Sequence, residues 1–149
     1  MTVGNSDSTT TYDGSNSVTA LSLPSLQPTS FFAPRQWASD NTTVSDLGSM
    51  GPAPLPDGRV VQAGKNGEIY LLSAPSLGGI GGELARTSGC PAYGGAAVNG
   101  NLVYLPCTWG IQQIVVGPGN RLAKGWRATQ AAGSPVLAGG AHRTRTFWS

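Results

Sequence analysis

Arg59-Val60-Val61-Gln62-Ala63-Gly64-Lys65-Asn66-Gly67-Glu68-Ile69-Tyr70-Leu71-Leu72 decides the fold class. Two runs of strand length, rich in β-branched and aromatic residues, flank an Asn-Gly pair, which favours positive φ and suits a tight hairpin turn. Neither run carries a helical period. The pattern recurs downstream, where Leu102-Val103-Tyr104-Leu105 and Ile111-Gln112-Gln113-Ile114-Val115-Val116 flank Cys107-Thr108-Trp109-Gly110 and read as a second hairpin. Asp57-Gly58, Asn99-Gly100 and Pro118-Gly119 punctuate the same region as further turns. The 149 residues contain 22 glycines and 11 prolines, which exclude long helices and coiled coils because both residue types interrupt helix interiors. The length suits one domain or a piece of one.

The segments repeat. Gly51-Pro52-Ala53-Pro54-Leu55, Gly95-Ala96-Ala97-Val98 and Gly133-Ser134-Pro135-Val136-Leu137 each open with glycine and small residues and lead towards an apolar strand. From Gly51 to Gly95 is 44 residues, and from Gly95 to Gly133 is 38. Within each unit a second and third strand precede a polar fourth, at Glu83-Leu84-Ala85-Arg86-Thr87 and at Lys124-Gly125-Trp126-Arg127-Ala128. Four strands in about 40 to 45 residues is the period of a β-propeller blade. Upstream, Thr2-Val3-Gly4-Asn5 reads as the end of a second strand, Ser17 to Leu21 as a third and Thr29 to Ala33 as a fourth.

The expected organisation is a partial blade over 1–45, full blades over 46–89 and 90–130, and the start of another over 131–140. Residues 141–149 break the pattern and read as an aberrant or frayed tail, of the kind that truncation by a shifted reading frame produces. Stacked sheets lacking their neighbours expose apolar faces and open edges, so self-association, or union with the remaining blades, is expected.

Asp46-Leu47-Gly48-Ser49-Met50-Gly51-Pro52 through Gly64-Lys65-Asn66-Gly67-Glu68-Ile69-Tyr70-Leu71-Leu72 resembles the quinoprotein-type, or PQQ-like, β-propeller repeat family. The likeness continues through Leu77-Gly78-Gly79-Ile80-Gly81-Gly82 and Ala92-Tyr93-Gly94-Gly95-Ala96-Ala97 to Ser134-Pro135-Val136, and is strongest to exported bacterial propellers. It implies an all-β fold of antiparallel four-stranded blades in an incomplete ring, about two full blades plus partial ones. Enzymes of the family hold pyrroloquinoline quinone and calcium at the centre of a complete ring, marked by adjacent cysteines and a cluster of carboxylate and amide ligands. Cys90 and Cys107 are not adjacent, and of the blade-ending tryptophans only Trp126, after Lys124-Gly125, is in place. The resemblance therefore implies a non-enzymatic, extracytoplasmic scaffold that binds protein or glycan, without cofactor of its own. A quinoprotein oxidoreductase, whose parent would bring the quinone and calcium, is the alternative, together with a truncated product lacking activity.

Cys90 and Cys107 flank a hairpin in a charge-poor chain, which fits a disulfide in an oxidising compartment or two buried thiols. Two cysteines and the single His142 are too few for structural zinc. Gly78-Gly79-Ile80-Gly81-Gly82 fails the spacing of a dinucleotide-binding turn, with Leu84 where the third glycine belongs, and reads as a strand-connecting loop. No P-loop occurs. Asp40 and Asp46 lie in a polar stretch with Asn41, Thr42, Thr43 and Ser45 that offers oxygen ligands to calcium but reads as turn chemistry. Asn41-Thr42-Thr43 fits the N-glycosylation pattern, which decides nothing alone.

No serine or cysteine stands beside a base, and His142 falls in the tail with Arg143, Arg145, Phe147 and Trp148, so no catalytic, cofactor or metal residue is nominated. Trp37, Trp109, Trp126 and Trp148 offer stacking faces for sugars, although Trp126 reads as a buried anchor between blades. With a net charge of +2 and only 11% charged residues, no field recruits nucleic acid, and no apolar run reaches membrane-span length. Met1-Thr2-Val3-Gly4-Asn5-Ser6 has no export signal.

Overall fold

The computed structural model describes residues 1–130, 133–139 and 145–148. Short strands dominate: β1 (Thr2–Val3), β2 (Ser17–Leu21), β3 (Pro28–Ala33), β4 (Ala53–Pro54), β5 (Arg59–Ala63), β6 (Glu68–Ser73), β7 (Gly79–Ile80), β8 (Ala85–Ser88), β9 (Ala97–Asn99), β10 (Leu102–Cys107), β11 (Gly110–Val116), β12 (Leu122–Ala128), β13 (Val136–Gly139) and β14 (Arg145–Trp148). A single helix, α1 (Trp37–Thr43), and 3-10 turns at Leu47–Ser49 and Pro118–Asn120 complete the described elements. The strands form three four-stranded sheets, ordered β1-β2-β3-β7, β4-β5-β6-β8 and β9-β10-β11-β12, and a β13-β14 pair. The second and third sheets are antiparallel throughout.

Both expected hairpins form. β5 and β6 pair Val61 with Leu71, Gln62 with Tyr70 and Ala63 with Ile69, and Gly67 turns at φ +75°. β10 and β11 pair from Leu102 opposite Val115 to Cys107 opposite Gly110. Side chains alternate across a strand, so each sheet has two faces, and in the second sheet both are buried. Val60, Tyr70 and Leu72 meet Val18 and Phe32 of the first sheet, while Val61, Ala63, Ile69 and Leu71 meet Val103, Leu105, Ile114 and Val116 of the third. The far face of the third sheet carries Ala97, Tyr104 and Ile111, against which Leu137 of β13 packs. The sheets therefore stack face to face in chain order.

Three local features depart from the expectations. Gly79-Ile80, read as part of a connecting loop, forms β7 and runs parallel to β3, Gly79 opposite Phe32 and Ala33 opposite Ile80. Positive φ at Gly78, Gly79 and Gly81 reverses the chain beside the buried Leu77, so a segment of the second unit completes the first sheet. The Asp40 to Thr43 stretch, read as turn, is the core of α1. The hydroxyls of Thr42 and Thr43 donate to the carbonyls of Ala38 and Ser39, both at 3.0 Å, and Val44 ends the helix at φ +55°. The polar fourth strand β8 begins at Ala85 rather than Glu83, because the Leu84 N–H is taken by the Leu71 carbonyl as the chain enters the sheet edge.

In the segment read as tail, Arg145–Trp148 pairs antiparallel with β13, Val136 opposite Trp148. His142 and Arg143 lie outside the described residues.

Candidate functional site

Loops 34–52, 64–67, 89–96 and 108–109 gather at one end of the stack. Backbone hydrogen bonds lace them together: Lys65 N–H to Asp46 O at 3.0 Å, Ala92 N–H to Gly64 O at 3.1 Å, Gly94 N–H to Ser49 O at 2.8 Å and Thr108 N–H to Pro91 O at 3.1 Å. The approach is close enough to require glycine at position 64, where a Cβ would stand 2.6 Å from the Asp46 carbonyl oxygen and 2.8 Å from Leu47 Cα. Cys90 and Cys107 form a disulfide across this end, joining the segment after the second sheet to the end of β10. Both cysteines are buried in the core between the two sheets, so the bond pins the segment that leaves β8 onto the end of β10.

Polar side chains reinforce the clamp. Lys65 Nζ lies 2.7 Å from Asp46 Oδ2, and that carboxylate holds the lysine ammonium above its ordinary range. Asn66 Nδ2 donates to Asp40 Oδ2 at 3.0 Å and to the Tyr70 hydroxyl at 3.1 Å, which also accepts Gln36 Nε2 at 2.7 Å. Burial raises the Asp40 carboxyl above its ordinary value; the Asn66 amide opposes this and the Glu68 charge adds to it. Burial likewise pushes the Tyr70 phenol up to about 12. Gln62 Nε2, inside the core, donates to the carbonyls of Leu47, Met50 and Ala63.

A second network pins the β1–β2 connection to α1. Asn16 Nδ2 donates to Asn41 Oδ1 at 2.7 Å, Asn16 Oδ1 accepts the Leu47 N–H at 3.2 Å, and Asn41 Nδ2 donates to Ser8 O at 2.6 Å and Ser15 Oγ at 2.9 Å. Tyr12 from that connection stacks on Phe31, with ring centroids 5.4 Å apart, and meets Trp37 edge-on at 5.2 Å.

These positions settle where the candidates from the sequence lie. Asp40 and Asp46 are buried but face different partners, and among the described residues no group of three or more His, Cys, Asp or Glu side chains is placed to hold a metal. Asn41 fits a glycosylation pattern, yet its amide is buried and bonded at both ends, which leaves no room for a glycan. Trp126, expected as a buried anchor, is 43% exposed and packs at 5.6 Å on Tyr104, on a face where Leu137 of β13 also packs. Trp37 is buried beneath Tyr12. Trp109 is exposed at the β10–β11 turn, with the Arg127 guanidinium 5.8 Å from its ring centroid, and Tyr93 is exposed nearby in loop 89–96. The Asn16–Asn41 and Gln36–Tyr70–Asn66–Asp40 networks escaped the sequence reading. Their only local signal was the Asn66-Gly67 turn.

The buried polar groups of this end serve mainly to hold the loops to one another. Exposed on these loops are Trp109, with the Arg127 guanidinium over its ring, and Tyr93. Among the described residues no helix is long and apolar enough to cross a membrane. No family model, curated protein or solved structure matches the chain.

Proposed function

We propose that the chain is part of an exported, non-enzymatic scaffold of the PQQ-like β-propeller kind, which binds protein or glycan partners through its clamped loop end. The observation that carries this reading is the stack itself: successive four-stranded units packed face to face in chain order, the middle one buried on both faces. The disulfide supports an oxidising, extracytoplasmic location, since such bonds persist outside the reducing cytosol. Rigidly held loops presenting exposed aromatics suit recognition, because Trp and Tyr give large contact areas at little entropic expense. Trp109 with its Arg127 neighbour fits stacking on a sugar ring or a partner's side chain.

The quinone and calcium of the family's enzymes do not fit these residues. The two cysteines are 17 positions apart and bonded to each other, and the carboxylates of Asp40 and Asp46 are engaged by Asn66 and Lys65.

A glycan array probed with the labelled chain and with its Trp109→Ala variant tests the binding reading, alongside a dye-reduction assay in which quinone and calcium are added to the chain. Retention of one glycan class by the wild type, lost at least tenfold in the variant, is the expected result. Quinone-dependent dye reduction would overturn the non-enzymatic reading.

A further inference from the structure

The first sheet has an open flank. In the second and third sheets, β4 and β9 pair with β5 and β10 as first-position strands. In the first sheet β1 is the edge strand, and among the described strands it pairs with β2 alone. Beside β1 lies a cleft of about 180 Å³, walled by apolar groups of Met1, Val18, Ala20, Pro54, Val60 and Leu77. Val18, Val60 and Leu77 also belong to the core between the first and second sheets, so the cleft is the unfilled continuation of that established interface. An unpaired strand edge beside an apolar cleft is what strand addition uses: backbone bonds supply affinity, and alternate side chains fill the cleft.

The complementary piece lies at the other end of the same chain. β13 follows Gly133-Ser134-Pro135 as β4 follows Gly51-Pro52, and it sits beside the third sheet as a first-position strand with β14 as its described partner. Leu137 packs back onto the third-sheet core. Alternation turns Val136 and Ala138 the opposite way, and both are exposed, Val136 by 59%. β9 divides its side chains in the same manner, with Ala97 in the far-face cluster and Val98 against the preceding interface.

We propose that copies of the chain associate head to tail, β13 of one copy adding to the free edge of β1 in the next in place of β14, with Val136 seated in the cleft. Each junction then extends the first sheet to five strands, β13-β1-β2-β3-β7. The two surfaces differ, so the contact is heterologous and the copies either close into a ring or extend as a filament. The inference rests on sheet edges and strand positions, and it holds whether or not the scaffold binds a glycan.

Size-exclusion chromatography with light scattering on the whole chain, over a wide concentration range, tests it. The expected mass is at least twice the 15.2 kDa of one chain, falling to one chain in Val136→Asp with an unchanged circular dichroism spectrum. A monomer at every concentration overturns the proposal, as does an assembly that persists in a folded Val136→Asp variant. If that variant fails to fold, chains carrying only Thr2→Cys are mixed with chains carrying only Ala138→Cys and oxidised. Mixed cross-linked dimers then support the junction, and their absence overturns it.

Discussion

Tyr70 joins the core to the loop end: its ring packs at 5.1 Å on Phe32 between two sheets, and its hydroxyl accepts from Gln36 and Asn66. Tyr70→Phe keeps the ring and strands both donors, so a loss of about 1–2 kcal/mol is expected in urea unfolding. Asp40 makes stability depend on pH. Its folded-state pKa is raised by burial, so the favourable contribution of the protonated carboxyl is complete below the unfolded value of about 3.9 and is lost as pH rises through the folded value. At neutral pH the buried charge is a burden. Asp40→Asn, still able to accept from Asn66, is therefore expected to be more stable than the wild type at pH 7, with the difference vanishing in acid. Parallel urea titrations at neutral and acidic pH measure it, and an equal gain at both would contradict burial as the cause. At Gly64, alanine forces the Asp46 and Leu47 backbone to move, and a loss of about 1–3 kcal/mol with lowered Tm is the expected outcome.

Elements differ in how plainly the sequence announces them. The β5–β6 hairpin is legible because its alternation, strand length and Asn-Gly turn agree, and one-residue slippage would put Val61 and Leu71 on the wrong face. α1 is not legible, since Trp37-Ala38-Ser39-Asp40-Asn41-Thr42-Thr43 is mostly weak helix formers; the helix exists because Trp37 and Asn41 are held from outside it, by Tyr12 and by the Asn16 amide. β7 is two residues long and owes its position to glycine turns and a distant partner strand, which no periodicity records. The polar networks were hidden for the same reason: Asn16 meets Asn41 across 25 positions and Gln36 meets Tyr70 across 34. The cysteine pair was legible as a pair, while the choice between bond and free thiols needed the placement of both beside one interface. Because the bond ties the segment after β8 to the end of β10, its removal in Cys90→Ala/Cys107→Ala frees that segment where it packs in the core between the second and third sheets. For a loop closed over 17 positions the loss is about 3 kcal/mol, read as a lowered Tm that reduction of the wild type reproduces.

At the scale of the whole molecule, stability is distributed along a stack rather than around one centre. The second sheet shares one apolar interface with the first and another with the third, whereas the outer face of the first sheet carries the exposed Phe31 under Tyr12, and the far face of the third meets, among the described residues, only β13. In such a nearest-neighbour arrangement each sheet's opening free energy depends on the interfaces it must break, so the middle strands open last. Hydrogen exchange followed by mass spectrometry is expected to show the greatest protection in β5 and β6, less in β10 and β11, and least in β1 to β3. Two core truncations separate this from uniform cooperativity. Leu71→Ala, in the interface between the second and third sheets, is expected to remove about 2–5 kcal/mol and to speed exchange in both. Val18→Ala, in the interface between the first and second sheets, is expected to speed exchange in β1 to β3 while leaving β10 and β11 close to wild type. Equal acceleration everywhere in both variants would mean that the sheets melt as one unit, with the disulfide and the laced loop end binding them more strongly than stacking alone provides.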